Sequence, residues 1–335
     1  MFHQEKKVFL IRRVILQFIK RNIRPFMQVS SKVLLLICFF SLGRGLSAQE
    51  IDSKKLITHI SFLASDELMG RAPETDGGLQ ARKYIQEEFT SYGLKSQYLN
   101  FLQPFSFENR RTKKRVEGAA NVVSFIAGSE SRKIIVVTAH YDHVGIGVPN
   151  AEGDSIYNGA DDNASGTSAL LAISEYFSKH RPKHSMIFAA LDAEEMGLQG
   201  AKALLEDFPF PLEDILLNIN MDMVGRNEDG EIYASGTYQN PSLKPILESA
   251  AQGLFPKLLF GHDIPGTRSD DWTHSSDHGP FVDEGIPHIY FGVEDHKDYH
   301  QPSDDILGIN PDFFSASANL ILKCIITLDE ELAKE

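Results

Sequence analysis

Two hydrophobic periods alternate along this chain. Beyond about residue 116, the apolar runs at 133–139, 185–191 and 215–221 are dense in Ile, Val, Leu and Ala and read as strands buried on both faces. Between and after them, residues 164–179 and 198–207 space their apolar positions as helices do. Strands separated by helices predict one α/β domain, built on a mainly parallel, mixed central β-sheet flanked by helices on both faces. Upstream, Leu63-Ala64-Ser65-Asp66-Glu67-Leu68 ends at Gly70, and a second amphipathic run covers 78–92. Residues 49–116 are therefore expected to be an N-terminal helical flank packing on a main domain at 117–335. A last helical stretch at 313–332 carries Cys324 as a buried apolar residue.

The first fifty residues follow another pattern. Residues 1–32 hold eight Lys or Arg against one acid, and an apolar run at 33–42 leads to Gly43, Gly45 and Leu46-Ser47-Ala48. That order of basic, apolar and small residues is a secretory signal, with cleavage expected after Ala48 and Met27 as an alternative start. The apolar run has ten residues, and a membrane-spanning helix needs about twenty. No stable membrane anchor is expected after cleavage, and the location is periplasmic or secreted.

Charge and cysteine content narrow the partners. Removing residues 1–48 takes away nine basic residues and one acid, leaving 24 against 45 and a formal charge of −21. Such an acidic chain is a poor nucleic-acid binder. Only Cys324 remains, so no internal disulfide can form.

In parallel sheets, ligands bind beyond the carboxyl ends of the strands. Here the residues just past each apolar run are of metal-ligand type: His140 and Asp142, Glu194 and Glu195, and Asp222, with Asp161 and Asp162 ahead of the helix at 164. Each has a plainer reading on its own. Asp162, Asn163 and Ser165 suit a helix cap, Glu194-Glu195 suits a solvated pair, and Asp222 suits a turn before Gly225. His140-Tyr141-Asp142 is more pointed, because it offers an imidazole with a carboxylate to orient it. Several acids converging on one sheet edge would destabilise the fold unless cations neutralised them. Nitrogen and oxygen ligands without thiolates suit zinc, with manganese or cobalt as substitutes.

The runs His140-Tyr141-Asp142, Gly159-Ala160-Asp161-Asp162-Asn163-Ala164-Ser165-Gly166, Glu194-Glu195-Met196-Gly197-Leu198, Asn220-Met221-Asp222-Met223, Ser276-Asp277-His278-Gly279-Pro280-Phe281 and Tyr299-His300 occur in this order. Together they resemble family 28 of the metallopeptidases, the co-catalytic zinc aminopeptidases, over nearly all of residues 55–330. The resemblance implies a zinc-exopeptidase fold in which 117–335 is the di-zinc catalytic domain. It implies that Asp162 bridges two zinc ions, with His140 and Asp222 completing one site and Glu195 and His300 the other. It implies that Glu194 is the general base for a metal-bridging hydroxide, that Asp142 backs the histidine ligand, and that Tyr299 stabilises the oxyanion. A cis peptide after Asp162 is a further implication. The expected substrates are peptides with a free amino terminus, and the expected state is a monomer.

Met223 and Phe281 are candidates for the pocket that accepts the first side chain. With five ligands assigned, His143, His274, His278, Asp277 and His296 are surplus to two ions, and Asp277-His278 is expected to brace the pocket loop. Asp304 and Asp305 are expected to open the last helix. A glutaminyl-cyclase-like enzyme would bind one zinc, and the presence of both His140 and Asp222 argues against it. A carboxypeptidase or deacylase of metallopeptidase family 20 would need an inserted dimerisation domain for which the chain has no room. A catalytically silent binding module would have lost a ligand or the base, and none is missing.

Overall fold

The computed structural model describes residues 51–267 and 270–334. The expected signal segment, residues 1–48, lies outside the described residues. Among the described residues two α-helices come first, α1 at Ser53–Leu63 and α2 at Asp76–Ser91. The Asp52 carboxylate caps α1 by accepting from the amides of Lys54 and Lys55, and the Thr75 hydroxyl caps α2 by accepting from Gly78. Strand β1 (Leu102–Glu108) then pairs antiparallel with β2 (Arg115–Ile126), so residues 49–116 supply a sheet edge as well as helices.

The alternation expected from the apolar runs follows. Strand β3 (Ile134–His140) leads through the hairpin β4 (Gly145–Ile146) and β5 (Ile156–Tyr157) to α3 (Gly166–Lys179), β6 (Ser185–Leu191), α4 (Gln199–Glu206) and β7 (Ile215–Met221). Then come β8 (Glu231–Ser235), α5 (Leu243–Ala251), β9 (Lys257–Phe260), α6 (Gly279–Asp283), β10 (His288–Gly292) and α7 (Pro311–Leu332). Eight strands form one mixed sheet in the order β1-β2-β6-β3-β7-β10-β8-β9. Its middle strands, β6, β3, β7 and β10, are mutually parallel, while β2 runs antiparallel to β6 and β8 antiparallel to β10.

Every residue of β3 and β6 is buried, because helices cover both faces of the sheet. The two-residue strand period sorts their side chains. Ile135, Val137 and Ala139 enter a core shared with α1, α2, α3, α5 and α7, whereas Ile134 and Val136 enter a second core with α4 and Phe281. Parallel strands also deliver their carboxyl ends to one rim. His140, Leu191, Met221 and Gly292 end the middle strands there, and the segments that follow each of them build the site.

One boundary differs from the sequence reading. Helix α7 begins at Pro311, and the Asn310 side chain caps it by accepting from the amides of Asp312 and Phe313. Asp305 caps only the short turn Ile306–Gly308, and Asp304 is buried elsewhere. Asn310-Pro311 is the stronger start signal, since proline fits the first helical turn where its missing N–H is not needed.

Candidate metal centre

The turn between β5 and α3 carries Asp162 into the rim. Gly159 has φ +54°, and a Cβ there would lie 2.0 Å from the Asp162 carbonyl oxygen, so only glycine lets the chain fold back this tightly. The Asp162–Asn163 peptide is cis. The Asn163 amide donates to Met221 O at 2.9 Å, and its oxygen accepts from Gly166 N at 2.8 Å. The capping role expected of this segment is thus filled by Asn163, which leaves the Asp162 carboxylate free to face the rim.

Two groups of ligand atoms meet on that carboxylate. His140 Nε2 lies 3.4 Å from Asp162 Oδ1 and 3.4 Å from Asp222 Oδ2. On the other side, His300 Nε2 lies 3.0 Å from Asp162 Oδ2 and 3.2 Å from Glu195 Oε2. Around a tetrahedral zinc with bonds of about 2.0–2.1 Å, ligand atoms sit about 3.3 Å apart, so both groups have the spacing of a coordination shell. Among the described residues, His140 Nε2, Asp222 Oδ1 and Glu195 Oε1 are buried without a hydrogen-bond partner. Buried unpaired lone pairs beside these contacts are what a cation would satisfy, so the residues gathered around Asp162 fit metal binding.

His143 joins the second group, although the sequence reading set it aside. Its Nδ1 lies 2.7 Å from Glu195 Oε1, the oxygen opposite the one His300 meets, and 3.8 Å from Asp162 Oδ2. The sequence signal for it is its position three residues after His140, in a run that alternates imidazoles and an acid. His296 pairs instead with Asp161, 3.2 Å away. His274 pairs with Asp283 at 3.0 Å, and His278 reaches Trp272 O at 2.7 Å, which ties the loop ahead of α6 to itself and to α6.

Charge balance explains how this cluster exists before metal arrives. Burial alone would lower the His140 imidazole, but Asp222, Asp142 and Asp162 outweigh it and raise its pKa well above the usual histidine value. Burial likewise opposes the His300 cation, yet bonds to Asp162 and Glu195 raise it to about 10. Protons therefore hold the ligands together in the metal-free chain, and a metal must displace them. Zinc loading at about pH 7 is expected to release protons, and apparent affinity to rise between about pH 6 and about pH 9. Titration calorimetry in buffers of different ionisation heat checks this, and equal heats in all buffers would contradict it.

Glu194 is held apart from the ligand pairs. Burial, reinforced by Asp277, Glu195 and Asp222 and opposed by His140, raises its pKa well above the usual carboxylate range. Asp277 is itself pushed up to about 8, chiefly by burial, and neither of its oxygens has a hydrogen-bond partner among the described residues.

The supports of the site are only partly those expected. His140 Nδ1 lies 3.2 Å from the Asp142 backbone carbonyl, while the Asp142 carboxylate stands 3.7 Å away. That carboxylate instead accepts from Glu194 N at 3.0 Å and Glu195 N at 3.4 Å, so one residue orients the imidazole with its backbone and the acidic pair with its side chain. The Asp304 carboxylate accepts from the amides of Asp161 and Asp162 at 3.1 Å each. It fixes the turn that carries Asp162 rather than opening a helix.

A model of peptidase family M28 matches residues 121–325. The chain belongs to peptidase family M28. A probable zinc metalloprotease of Pyrenophora tritici-repentis is 29% identical over 300 residues, covering 77% of this chain and 59% of that protein. Another, from Pyrenophora teres f. teres, is 35% identical over 198 residues, covering 55% of this chain and 40% of that protein. The chain thus spans about half of such curated relatives. In fold it resembles the aminopeptidase from Aneurinibacillus sp. strain AM-1, with TM-score 0.65, 16% identity and coverage of 82% and 93%. It resembles Porphyromonas gingivalis glutaminyl cyclase equally well, with TM-score 0.67, 17% identity and coverage of 84% and 99%.

In this M28 chain, all five ligand positions named from the sequence meet at one rim. Tyr299 is half-buried and stacks on His300 with ring centroids 4.0 Å apart. Burial, then Asp162, Asp222 and Glu195, raise its phenol pKa far above normal, so it is a neutral donor beside the cluster. The two pocket candidates are buried among apolar residues. Phe281 is fully buried in the second core, and Met223, 4% exposed, packs into the first. Both are core residues, because the segments after Asp222 and Ser276 turn their apolar side chains back onto the sheet.

Arg71 has no counterpart in the sequence reading. Its guanidinium is fully buried and donates to the carbonyls of Tyr141 at 2.9 Å, Leu63 at 2.7 Å, Gly159 at 3.0 Å, and Asn158. Burial lowers its pKa to about 10, while Asp162, Asp142, Asp304 and Glu195 support the cation.

Proposed function

We propose that this M28 chain is an exported aminopeptidase that hydrolyses the first peptide bond of peptides with a free amino terminus, using two zinc ions. The observation that carries the reading is the Asp162 carboxylate shared by two histidine-carboxylate groups, with a half-buried, readily protonated Glu194 beside them. His140, Asp222 and Asp162 would hold one ion, and Glu195, His300 and Asp162 the other. Bound there, zinc would supply an acidified water and a Lewis acid for the peptide carbonyl.

The chain's own groups then divide the proton work. Glu194 takes a proton from the attacking water and returns it to the nitrogen of the leaving amine, a task that suits a carboxyl with a pKa above the ordinary range. Asp142 keeps the Glu194 backbone in place, and the neutral Tyr299 phenol donates to the developing oxyanion. The chain's overall surplus of acids is compatible with capture of a substrate ammonium group. Fold neighbours include both an aminopeptidase and a glutaminyl cyclase. The paired groups around Asp162 favour the first, because a single-zinc cyclase has no use for His140 and Asp222 together.

Export rests on the order of basic, apolar and small residues in 1–48, and the acidic remainder agrees with it. N-terminal sequencing of the mature protein is expected to begin at Gln49, and recovery of an intact leader would refute cleavage. The activity is tested with a panel of aminoacyl-p-nitroanilides and their N-acetylated forms, with chelator and after restoring zinc. Zinc-dependent hydrolysis of the free-amine forms alone supports the reading. Hydrolysis of none by the zinc-loaded chain would overturn it.

A further inference from the structure

Several polar residues inside the sheet have no place in the chemistry above. Strands β3 and β7 set Val136 opposite Asn218 and Thr138 opposite Asn220. Thr138, Asn218, Asn220 and, at the rim, Ser276 are all 0% exposed, and buried amides and hydroxyls are costly unless bonded. Their bonds form a line. Asn218 Nδ2 lies 3.1 Å from Thr138 Oγ1, and Thr138 Oγ1 lies 2.7 Å from Asn220 Oδ1. Asn220 Nδ2 lies 2.8 Å from Ser276 Oγ, and Ser276 Oγ lies 2.7 Å from Asp222 Oδ2.

The anionic end fixes the direction of the whole line. An ionised carboxylate only accepts, so the Ser276 hydroxyl gives its one proton to Asp222 and must itself accept from the Asn220 amide. That turns the Asn220 oxygen toward Thr138, whose hydroxyl donates to it and accepts from Asn218. Every donor therefore points toward Asp222, and bonds aligned in this way polarise one another. Each link also constrains the next. Without the Asn220 donor the Ser276 hydroxyl is free to rotate, and without Thr138 the Asn220 amide is free to flip.

We propose that Asn218, Thr138, Asn220 and Ser276 form a directional hydrogen-bond chain that positions Asp222 as a metal ligand, with Thr138 acting on that ligand from inside the sheet. The proposal rests on the reading of Asp222 as a zinc ligand. It assigns these residues a positioning role, since none of them touches the metal groups directly except Ser276 through its bond to Asp222.

The test is competition of zinc against a chelator, read per site, for the full chain and for Thr138→Val, Ser276→Ala, their combination, and Thr138→Ser. Thr138→Val keeps the shape of the strand residue and removes only the hydroxyl link. Both single substitutions are expected to weaken one of two zinc sites by about tenfold to a hundredfold and leave the other unchanged. The double substitution should be no weaker than the worse single one, and Thr138→Ser should restore affinity. A merely structural role would lower thermal stability without singling out one zinc site. Should Thr138→Val not fold, Asn220→Ala breaks the line at its next link with the same expectation. Two tight zinc sites in the wild type with unchanged affinity in Ser276→Ala, or additive losses in the double substitution, would overturn the proposal. A wild type that binds no zinc would overturn the metal reading itself.

Discussion

Replacing Glu194 with alanine is expected to lower kcat by about two to four orders of magnitude while both zinc sites stay filled. The separation follows from the geometry. Glu194 contributes no oxygen to either ligand group, whose contacts run through His140, Asp162, Asp222, Glu195 and His300. Its backbone amide, not its side chain, is what the Asp142 carboxylate holds, so removing the carboxyl leaves that support in place. The sign of the pH dependence is also fixed. In the proposed role Glu194 acts ionised, and burial raises its pKa, so wild-type kcat/KM should rise with pH on the acid side as the proton leaves Glu194. That limb should vanish in Glu194→Ala. Turnover within a few-fold of wild type, with zinc bound, would remove Glu194 from its assigned role.

The rim was legible in the sequence where strand chemistry and site chemistry coincide. His140, Glu195 and Asp222 stand just past apolar runs, and because parallel strands end together, each position could be assigned to one edge before any contact was known. The edge strands were not legible for the opposite reason. β9 has no fully buried residue, and β8 alternates buried Ile232 and Ala234 with partly buried Glu231 and Tyr233, so they lack the continuous apolar signature of β3 and β6. Asp142 shows a subtler limit. Its proximity to His140 in sequence suggested an imidazole partner, whereas the fold brings Glu194 and Glu195, 52 and 53 residues away, within reach of its carboxylate. Asp304 was misread because an acid shortly before a helical pattern looks like a cap, and only the approach of the 160–162 turn from 142 residues away shows what it binds. Phe281 and Met223 were placed by neighbourhood in the motif, but Phe281 lies in helix α6 and packs into the second core, and Met223, with φ +58°, packs into the first.

Arg71 is the residue whose loss should damage the fold most, and its role joins the helical flank to the metal site. Its four acceptors are backbone carbonyls from the end of α1, from the residue after His140 and from the turn before Asp162. In Arg71→Met these carbonyls stay buried without donors, each at a cost of about 1–3 kcal/mol before relaxation. A net loss of about 4 kcal/mol is expected, lowering the thermal midpoint by roughly 10 °C. Arg71→Lys keeps the charge but has fewer donors and no fork to reach separated carbonyls, so it should recover only part of the loss. The charge has its own signature. Asp162, Asp142, Asp304 and Glu195 all favour the Arg71 cation, and in the metal-free chain Arg71→Met leaves them with less positive charge nearby. Zinc should then bind the Arg71→Met site more tightly and raise its midpoint by more than it raises the wild type's. Differential scanning of both proteins, metal-free and zinc-loaded, reads the two effects separately. A smaller zinc-induced gain in Arg71→Met would mean that the site depends on the shape those four bonds impose, and that the charge of Arg71 contributes little to it.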